Sequence, residues 1–282
     1  MKNLPIGFID SGFGGLTVVK QSLKQLPNES IIYLGDSARC PYGPRSLEEV
    51  KHFIWQLTNF LREKGIKMLV IACNTGTAAA LSEIRATLAI PVVGVVHSGS
   101  RAAIKQTRNN RIGIIGTQGT INSALYENVI LEKAPYLAVN SVAAPEFVDI
   151  VENDQLFTAD TEAIVNRRLE AFDQTDIDTL VLGCTHYPLL KPIIQKAMGP
   201  NVYLIDSGRE TINEVSTLLD YFSLSRTAED AVASPSTQAY YTTGEASHFE
   251  KIASQWLNDA DLEVKSCEIK GEIIVESFNS ES

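Results

Sequence analysis

Two cysteines stand where a thiol could take part in proton transfer. Cys73 and Cys184 each end a short apolar run. Small hydrogen-bonding residues follow them, Asn74-Thr75 in one case and Thr185-His186 in the other. A thiol has an unperturbed pKa of about 8.5, so thiol and thiolate are both accessible near neutral pH, and either cysteine could act as acid or base. Two opposed thiols could therefore invert a carbon stereocentre, one removing a proton and the other returning a proton to the opposite face.

Each thiol would need a neighbouring group. A free cysteine is only a few per cent thiolate near neutral pH, so another side chain must assist its deprotonation. Asp10 and His186 are the candidates, because each follows a strand-like apolar run. Two alternatives stay open: each cysteine packs as a small apolar residue, and His186 only caps a turn.

Two other cysteines and two other histidines are not expected to take part in the proton transfer. Cys40 and Cys267 are predicted to pack in the core, and His52 and His248 to lie on surface helices. The four cysteines are 33, 111 and 83 residues apart, without a C-x-x-C pair or a histidine cluster of metal-ligand spacing. The sequence therefore predicts free thiols and no metal site.

A glycine-rich segment, Asp10-Ser-Gly-Phe-Gly-Gly15, follows the first apolar run. Its glycines would allow close approach to the backbone, and its amides could hold an anion. The segment is not G-x-G-x-x-G and lacks a Walker lysine, so a dinucleotide or P-loop site is not predicted. A tight turn and a ligand-binding loop both remain open.

The elements that must position these residues follow a recognisable pattern. Short Val- and Ile-rich runs alternate with longer amphipathic stretches, which is typical of βαβ units around a parallel sheet. The predicted strands are residues 6–9, 31–34, 68–72, 92–96, 112–115, 180–183 and 202–205. The predicted helices include residues 48–64, 159–172 and 209–222, residues 223–238 are predicted to be a surface loop, and strand and helix patterns resume at 240–244 and 249–256.

Three segments of the first half recur in the second half in the same order. Residues 6–11 resemble 112–117, residues 69–75 resemble 180–186, and residues 95–99 resemble 204–208, at offsets of 106, 111 and 109. They predict an α/β fold of two similar parallel-sheet domains related by pseudo-twofold symmetry, with the active site in the interdomain cleft. The predicted domains are residues 1–96 with 207–282, and residues 97–206. Chance similarity of buried strands is the alternative.

Composition and net charge limit the classes of binding partner that are expected for this protein. The 282 residues are 44% hydrophobic and 21% charged, as in an ordinary globular protein. The net charge of −10 opposes a large phosphate-neutralising surface, so neither nucleic acid nor an anionic membrane is expected as the main partner. The first apolar run is too short for a signal peptide or a spanning helix, and a cytoplasmic protein is expected.

Five motifs then stand out together. They are DSGFGGLT at 10–17, CPYGPR at 40–45, ACNT at 72–75, PVVG at 91–94 and GCTHYP at 183–188. They resemble the glutamate racemase family of the cofactor-independent aspartate/glutamate racemase superfamily, from about residue 6 to residue 257. The resemblance implies interconversion of L- and D-glutamate, with D-glutamate supplied for peptidoglycan and so for cell wall and cell shape. It implies no pyridoxal phosphate, no metal and a homodimer.

The resemblance also implies residue roles. Cys73 would act on D-glutamate and Cys184 on L-glutamate, while Asp10 and His186 assist their respective thiols and Glu152 lies nearby. The resemblance implies that the side-chain carboxylate of the substrate is bound by Ser11, Tyr42 and Gly43. It implies that the α-carboxylate and amino group are bound by Asn74, Thr75 and Thr185. Asp10 and His186 are also implied substrate contacts.

The sequence departs from the family pattern in places. Gly76 stands where Ala is usual, and His97-Ser98 stands where Pro is common. Near Glu152, the family often has Cys before Pro145 and a second Pro where Asp149 stands, so the role of Glu152 stays open. Two other functions also remain: the same chemistry on aspartate or a hydantoin, and a two-lobed binding or regulatory protein that has kept a racemase fold.

Overall fold

Buried Val- and Ile-rich runs form the strands of two separate sheets. The computed structural model describes residues 1–156 and 158–277. The strands are β1 (Ile6–Asp10), β2 (Ile31–Gly35), β3 (Met68–Ile71), β4 (Val92–Gly94), β5 (Arg111–Gly116), β6 (Ala138–Ala143), β7 (Thr179–Gly183), β8 (Tyr203–Asp206), β9 (Gln238–Thr242), β10 (Val264–Lys270) and β11 (Ile273–Glu276). The helices are α1 (Leu16–Gln25), α2 (Leu47–Lys64), α3 (Asn74–Thr87), α4 (Val95–Gln106), α5 (Gln118–Asn122), α6 (Leu125–Lys133), α7 (Glu146–Glu152), α8 (Ala159–Leu169), α9 (Lys191–Met198), α10 (Ser207–Tyr221), α11 (Ala228–Ala233) and α12 (Ala246–Leu257), with 3₁₀ turns at Glu170–Phe172 and Tyr187–Leu190.

Four strands of the first sheet have the same arrangement as the four strands of the second. The first has the order β11-β10-β9-β2-β1-β3-β4 and the second has the order β6-β5-β7-β8. All neighbouring strands are parallel except β10 and β11. The run β2-β1-β3-β4 therefore has the same arrangement as the whole second sheet, with its first strand inside and its last strand at one edge. The predicted fold class, two similar parallel-sheet α/β domains, is confirmed.

Helices cover both faces of each sheet because the strands are apolar on both sides. In β1, Phe8 packs in one core with Leu16 of α1, while Ile9 packs in another with Leu57 of α2. The second sheet has two further cores of this kind. Burial on both faces is what lets short continuous apolar runs identify parallel strands.

The chain passes between the domains at the start of two helices. Val96 and Ala103 of α4 pack in a core of the second sheet, although α4 follows β4 of the first. Ile212 and Val215 of α10 pack in a core of the first sheet, although α10 follows β8 of the second. The two crossover helices also pack against each other.

Most predicted elements are confirmed, and the differences have separate causes. All seven predicted strands form, but the strand predicted to run to residue 96 ends at Gly94 because α4 begins there. β6, β10 and β11 were missed, because they are largely exposed or half-exposed and contain no buried apolar run. The segment predicted as a surface loop contains α11, which buries no residue and begins with a capping box between Thr227 and Asp230. Within the described residues, no helix is long and apolar enough to cross a membrane.

Candidate active site

Residues that follow the carboxyl ends of four strands line one small cavity. Ser11 follows β1, Cys73 lies two residues beyond β3, Thr117 follows β5 and Cys184 follows β7. Parallel α/β sheets present loops and helix N-termini at this edge, so ligands bind there. Both domains contribute to the cavity, and each supplies one thiol. Its volume is about 20 Å³, which is room for about one water molecule.

Cys73 caps the helix that follows it. Its Sγ accepts a hydrogen bond from the Gly76 amide at 3.3 Å, as the N-cap of α3, and lies 3.7 Å from Ser11 Oγ. The helix N-terminus would stabilise a thiolate here. Burial, and then the carboxylate of Asp10, nevertheless raise the pKa of Cys73 to about 12. Cys73 is therefore predominantly a thiol at neutral pH.

Asp10 is fully buried at the end of β1. Its Oδ2 accepts from the amides of Gly12 at 3.0 Å and Gly15 at 2.9 Å, so these amides bind the carboxylate of the loop itself. A Cβ at residue 15 would lie 2.6 Å from the Asp10 Cβ, which is why the loop needs glycine there. Burial raises the pKa of Asp10 even though these amides and His186 oppose it. Its Oδ1 has no hydrogen-bond partner among the described residues.

A chain of acid and base groups leads away from Cys184. His186 Nδ1 lies 3.6 Å from Cys184 Sγ, and His186 Nε2 lies 3.2 Å from Glu152 Oε1. Burial would lower the pKa of His186, but the hydrogen bonds to Cys184 and Glu152 raise it to about 10. Burial would raise the pKa of Glu152, but the contact with His186 lowers it below its usual value. An imidazolium is thus placed where it can stabilise a Cys184 thiolate.

The position of Cys40 differs from the one predicted from the sequence. It was expected to pack in a core, but it is only partly buried and lines the cavity, where its Sγ donates to Glu152 Oε1 at 3.4 Å. Burial, followed by the charges of Glu152 and Asp10, raises the pKa of Cys40 far above its usual value, so it remains a donor. Its position two residues before Tyr42 in the CPYGPR motif was the available signal. Cys267 packs in the core as predicted.

The loop after β2 carries Tyr42 and Gly43 to the cavity. The Tyr42 side chain is buried and its hydroxyl donates to Asp36. Asp36 also accepts from Arg39 Nε at 2.7 Å and from Thr243 Oγ1 at 2.6 Å, so one carboxylate fixes the loop. The hydroxyl of Tyr42 is thereby occupied within the first domain.

Three threonine hydroxyls bridge the domains at the other side of the cavity. Thr75 Oγ1 lies 3.0 Å from Thr117 Oγ1 and 3.2 Å from Thr120 Oγ1, and the latter two are 3.1 Å apart. The Gly119 amide donates to the Gly43 carbonyl at 2.9 Å. Thr117 and Thr120 were not predicted, although the sequence repeat pairs residue 117 with Ser11.

The remaining predicted site residues also lie here. Asn74 and Thr185 line the cavity. The Thr185 carbonyl accepts from Thr17 Oγ1 at 2.9 Å, which ties the second thiol loop to α1. Among the described residues, no group of three or more His, Cys, Asp or Glu side chains is arranged to hold a metal ion.

Fold and cavity together define a two-domain parallel α/β protein in which a thiol from each domain lines one small cavity. The chain belongs to the Asp/Glu/hydantoin racemase family, whose sequence profile matches residues 6–215. It is 56% identical to a glutamate racemase of Enterococcus faecalis over 266 residues, which cover 94% of this chain and 96% of that protein.

Solved structures agree with this assignment. The glutamate racemase isoform RacE1 of Bacillus anthracis superposes with a TM-score of 0.90 at 44% identity, over 97% of this chain and all of that one. A glutamate racemase of Francisella tularensis, solved in complex with D-glutamate, gives a TM-score of 0.86 at 34% identity over 96% of this chain and 99% of that one.

We expect the His186 imidazole to stay protonated until the pH approaches about 10. Its ion pair then stabilises the fold fully below pH 6.5, the ordinary pKa, and this contribution is lost as the pH rises through about 10. An NMR titration of the His186 ring measures the midpoint. Glu152→Gln should lower it, because one negative partner is removed. The matched control is Glu146→Gln, in the same helix, whose side chain pairs with Arg168 at 2.5 Å. A midpoint near 6.5 in the wild type would contradict the ion pair.

Proposed function

We propose that this chain interconverts L-glutamate and D-glutamate by two-base proton transfer, without a cofactor. The observation that carries the proposal is the placement of Cys73 and Cys184, one from each domain, in the lining of a single small cavity. The relatives named glutamate racemase, at identities up to 56%, support glutamate rather than aspartate or a hydantoin as the substrate. A binding protein that leaves its ligand unchanged would not need two thiols at equivalent strand ends.

The main physical difficulty is the weak acidity of the Cα proton beside an ionised carboxylate. Without an electron sink, fixed dipoles in a water-poor site must stabilise the carbanion-like charge. The N-terminus of α3 supplies such a dipole next to Cys73, and the His186 imidazolium supplies a positive charge next to Cys184. A cavity with room for about one water molecule must also widen to admit glutamate.

The residue roles are part of the proposal. Cys73 acts on D-glutamate and Cys184 on L-glutamate. Asp10 assists Cys73, and His186, held by Glu152, assists Cys184. We propose that the side-chain carboxylate of the substrate contacts Ser11, Tyr42 and Gly43. The α-carboxylate and amino group contact Asn74, Thr75 and Thr185. Asp10 and His186 also contact the substrate. Because the Tyr42 hydroxyl donates to Asp36, the backbone of Tyr42 and Gly43 is the part offered to the substrate.

We expect racemisation in both directions after dialysis against a chelator and without pyridoxal phosphate. Circular dichroism of the purified protein, incubated separately with each glutamate enantiomer, measures the approach to a racemic mixture. Activity that disappears on dialysis and returns with a metal or with pyridoxal phosphate would contradict the proposal.

Aspartate should be a poor substrate. Its chain is one methylene shorter, so both carboxylates cannot occupy fixed anion sites while Cα stays between the two thiols. We expect kcat/KM for aspartate to be lower by about 10²-fold or more, since misplacement by about 1 Å has effects of that size. The same circular dichroism assay compares the two amino acids, and similar kcat/KM values would disprove the glutamate assignment.

The proposed setting is the cytoplasm, where D-glutamate is supplied for peptidoglycan. Four free cysteines in the described structure suit a reducing compartment. We also propose a homodimer, which sedimentation analysis tests by measuring a particle of twice the chain mass. Large side chains such as Tyr221 and Phe222, 79% and 49% exposed, would suit such an interface.

The proposed domains remain residues 1–96 with 207–282, and residues 97–206. The packing of α4 on the second sheet and of α10 on the first supports boundaries near the starts of these helices. Residue 157, in the second proposed domain, and residues 278–282, at the end of the first, lie outside the described residues.

A further inference from the structure

Tyr126 joins three elements that meet beside the cavity. It lies in α6 with only 2% of its surface exposed. Its hydroxyl is 2.7 Å from Asn74 Oδ1 and 2.8 Å from Ser207 Oγ. Asn74 is the first residue of α3, directly after Cys73, and Ser207 is the first residue of α10. Tyr126 therefore links the second domain to the residue next to one of the two thiols.

The direction of these hydrogen bonds follows from counting protons. A carboxamide oxygen only accepts, so Tyr126 donates its single hydroxyl proton to Asn74 Oδ1. Ser207 then donates to Tyr126 at 2.8 Å, whereas its other acceptor, the Leu182 carbonyl, lies at 3.3 Å. If the Asn74 amide were turned over, Ser207 would have to donate across that longer distance. The shorter bonds favour an amide oxygen that faces Tyr126.

The other end of the amide is available to a ligand. Asn74 Nδ2 is buried and has no hydrogen-bond partner among the described residues. Asn74 lines the cavity together with both thiols. A buried N–H group without an acceptor carries an energetic cost, and a substrate carboxylate would remove that cost by accepting from it.

We propose that Tyr126 is a positioning residue for the reaction. Its hydroxyl holds the oxygen of the Asn74 carboxamide, which turns the NH₂ group toward the cavity, where it donates to a carboxylate of the substrate. The identity of that substrate rests on the proposed function, whereas the orientation of the amide does not.

Kinetics can separate this role from a general structural one. Tyr126→Phe keeps the ring and removes the hydroxyl, so kcat/KM for both glutamate enantiomers should fall about 10- to 100-fold. Asn74→Ala should lower it at least as much. Because Tyr126 acts through Asn74, adding Tyr126→Phe to Asn74→Ala should change kcat/KM by no more than about 2-fold. Losses that multiply in the double variant would overturn the inference.

Tyr240→Phe is the matched control. Tyr240 is also buried, and its hydroxyl bonds Gln238 Oε1 at 2.8 Å within β9. This variant removes the hydroxyl of another buried tyrosine, outside the cavity, so its kcat/KM should stay within about 2-fold of the wild type. Urea unfolding of every variant verifies that each one is folded at the assay temperature.

A second readout needs no substrate. Side-chain ¹⁵N relaxation of the Asn74 NH₂ group, assigned by its absence in Asn74→Ala, measures how firmly the amide is held. We expect a rigid amide in the wild type and in Tyr240→Phe, and a mobile one in Tyr126→Phe. Equal order in all three proteins would overturn the inference, whatever the wild type converts. A wild type that racemises neither enantiomer would contradict the proposed function, and the relaxation result alone would then decide the role of Tyr126.

Discussion

Cys73→Ser and Cys184→Ser should each lower glutamate racemisation by about 10³-fold or more. A serine hydroxyl is too weakly acidic to replace a thiol in either direction, and inversion needs both groups. The two thiols also differ in their surroundings. Burial and the nearby Asp10 raise the pKa of Cys73, whereas Cys184 faces the ring of His186. Neither cysteine can therefore take over the part of the other.

Each variant should keep one half-reaction. On the proposed assignment, Cys73→Ser spares proton abstraction from L-glutamate by Cys184, and Cys184→Ser spares abstraction from D-glutamate by Cys73. Elimination of hydrogen chloride or hydrogen fluoride from 3-halo-glutamate enantiomers follows abstraction without inversion, because loss of the halide traps the deprotonated species. Opposite enantiomer preferences are expected. The two-base mechanism would be wrong if both variants favoured one enantiomer, or if either kept near wild-type racemisation.

Gly14→Ala should lower the activity of the protein strongly without unfolding it. An added Cβ would overlap Thr185 Oγ1 and lie 2.7 Å from the His186 ring. The Thr185 side chain can rotate, but the His186 ring is held between Cys184 and Glu152 and must be displaced. Since misplacement of a catalytic group by about 1 Å has effects near 10²-fold, we expect a loss of that size in kcat for both enantiomers.

Two measurements check the Gly14 prediction. Far-ultraviolet circular dichroism and urea unfolding should show a folded variant, because the clash lies at the cavity and not in a core. The pKa of His186, measured by NMR, should fall from about 10 as its contacts with Cys184 and Glu152 lengthen. A variant with kcat within about 3-fold of the wild type would show that the loop and His186 are not packed as described.

The sequence was informative where chemistry coincides with buried strands. Cys73 and Cys184 follow continuous apolar runs, so their positions at strand ends could be inferred, and the repeat then placed them in equivalent positions. Both inferences depend only on local pattern and parallel-sheet geometry. The same reasoning located the seven buried parallel strands, whereas β6, β10 and β11 were not predicted.

The sequence could not predict contacts made across the cleft. Cys40 and Glu152 are 112 residues apart, and their contact depends on how the two domains pack, which leaves no local pattern. The Tyr126–Asn74 bond has the same origin. Strand β6 was missed for a different reason, since it lies at the edge of its sheet with half-exposed side chains and so lacks a core pattern.

The position of β9 beside β2 has a consequence for the newly made chain. β1, one neighbour of β2, is synthesised before it, but the other neighbour, β9, comes much later. Gly35 ends β2 and Gln238 begins β9, so 203 residues must be synthesised after β2 before β9 begins. At ribosomal rates of about 5–20 residues per second this takes about 10–40 s. During that interval β2, with the sequence IIYLG, offers an unpaired apolar edge to any other nascent strand. Pairing of this edge with another chain would therefore compete with folding and lower the yield of folded protein.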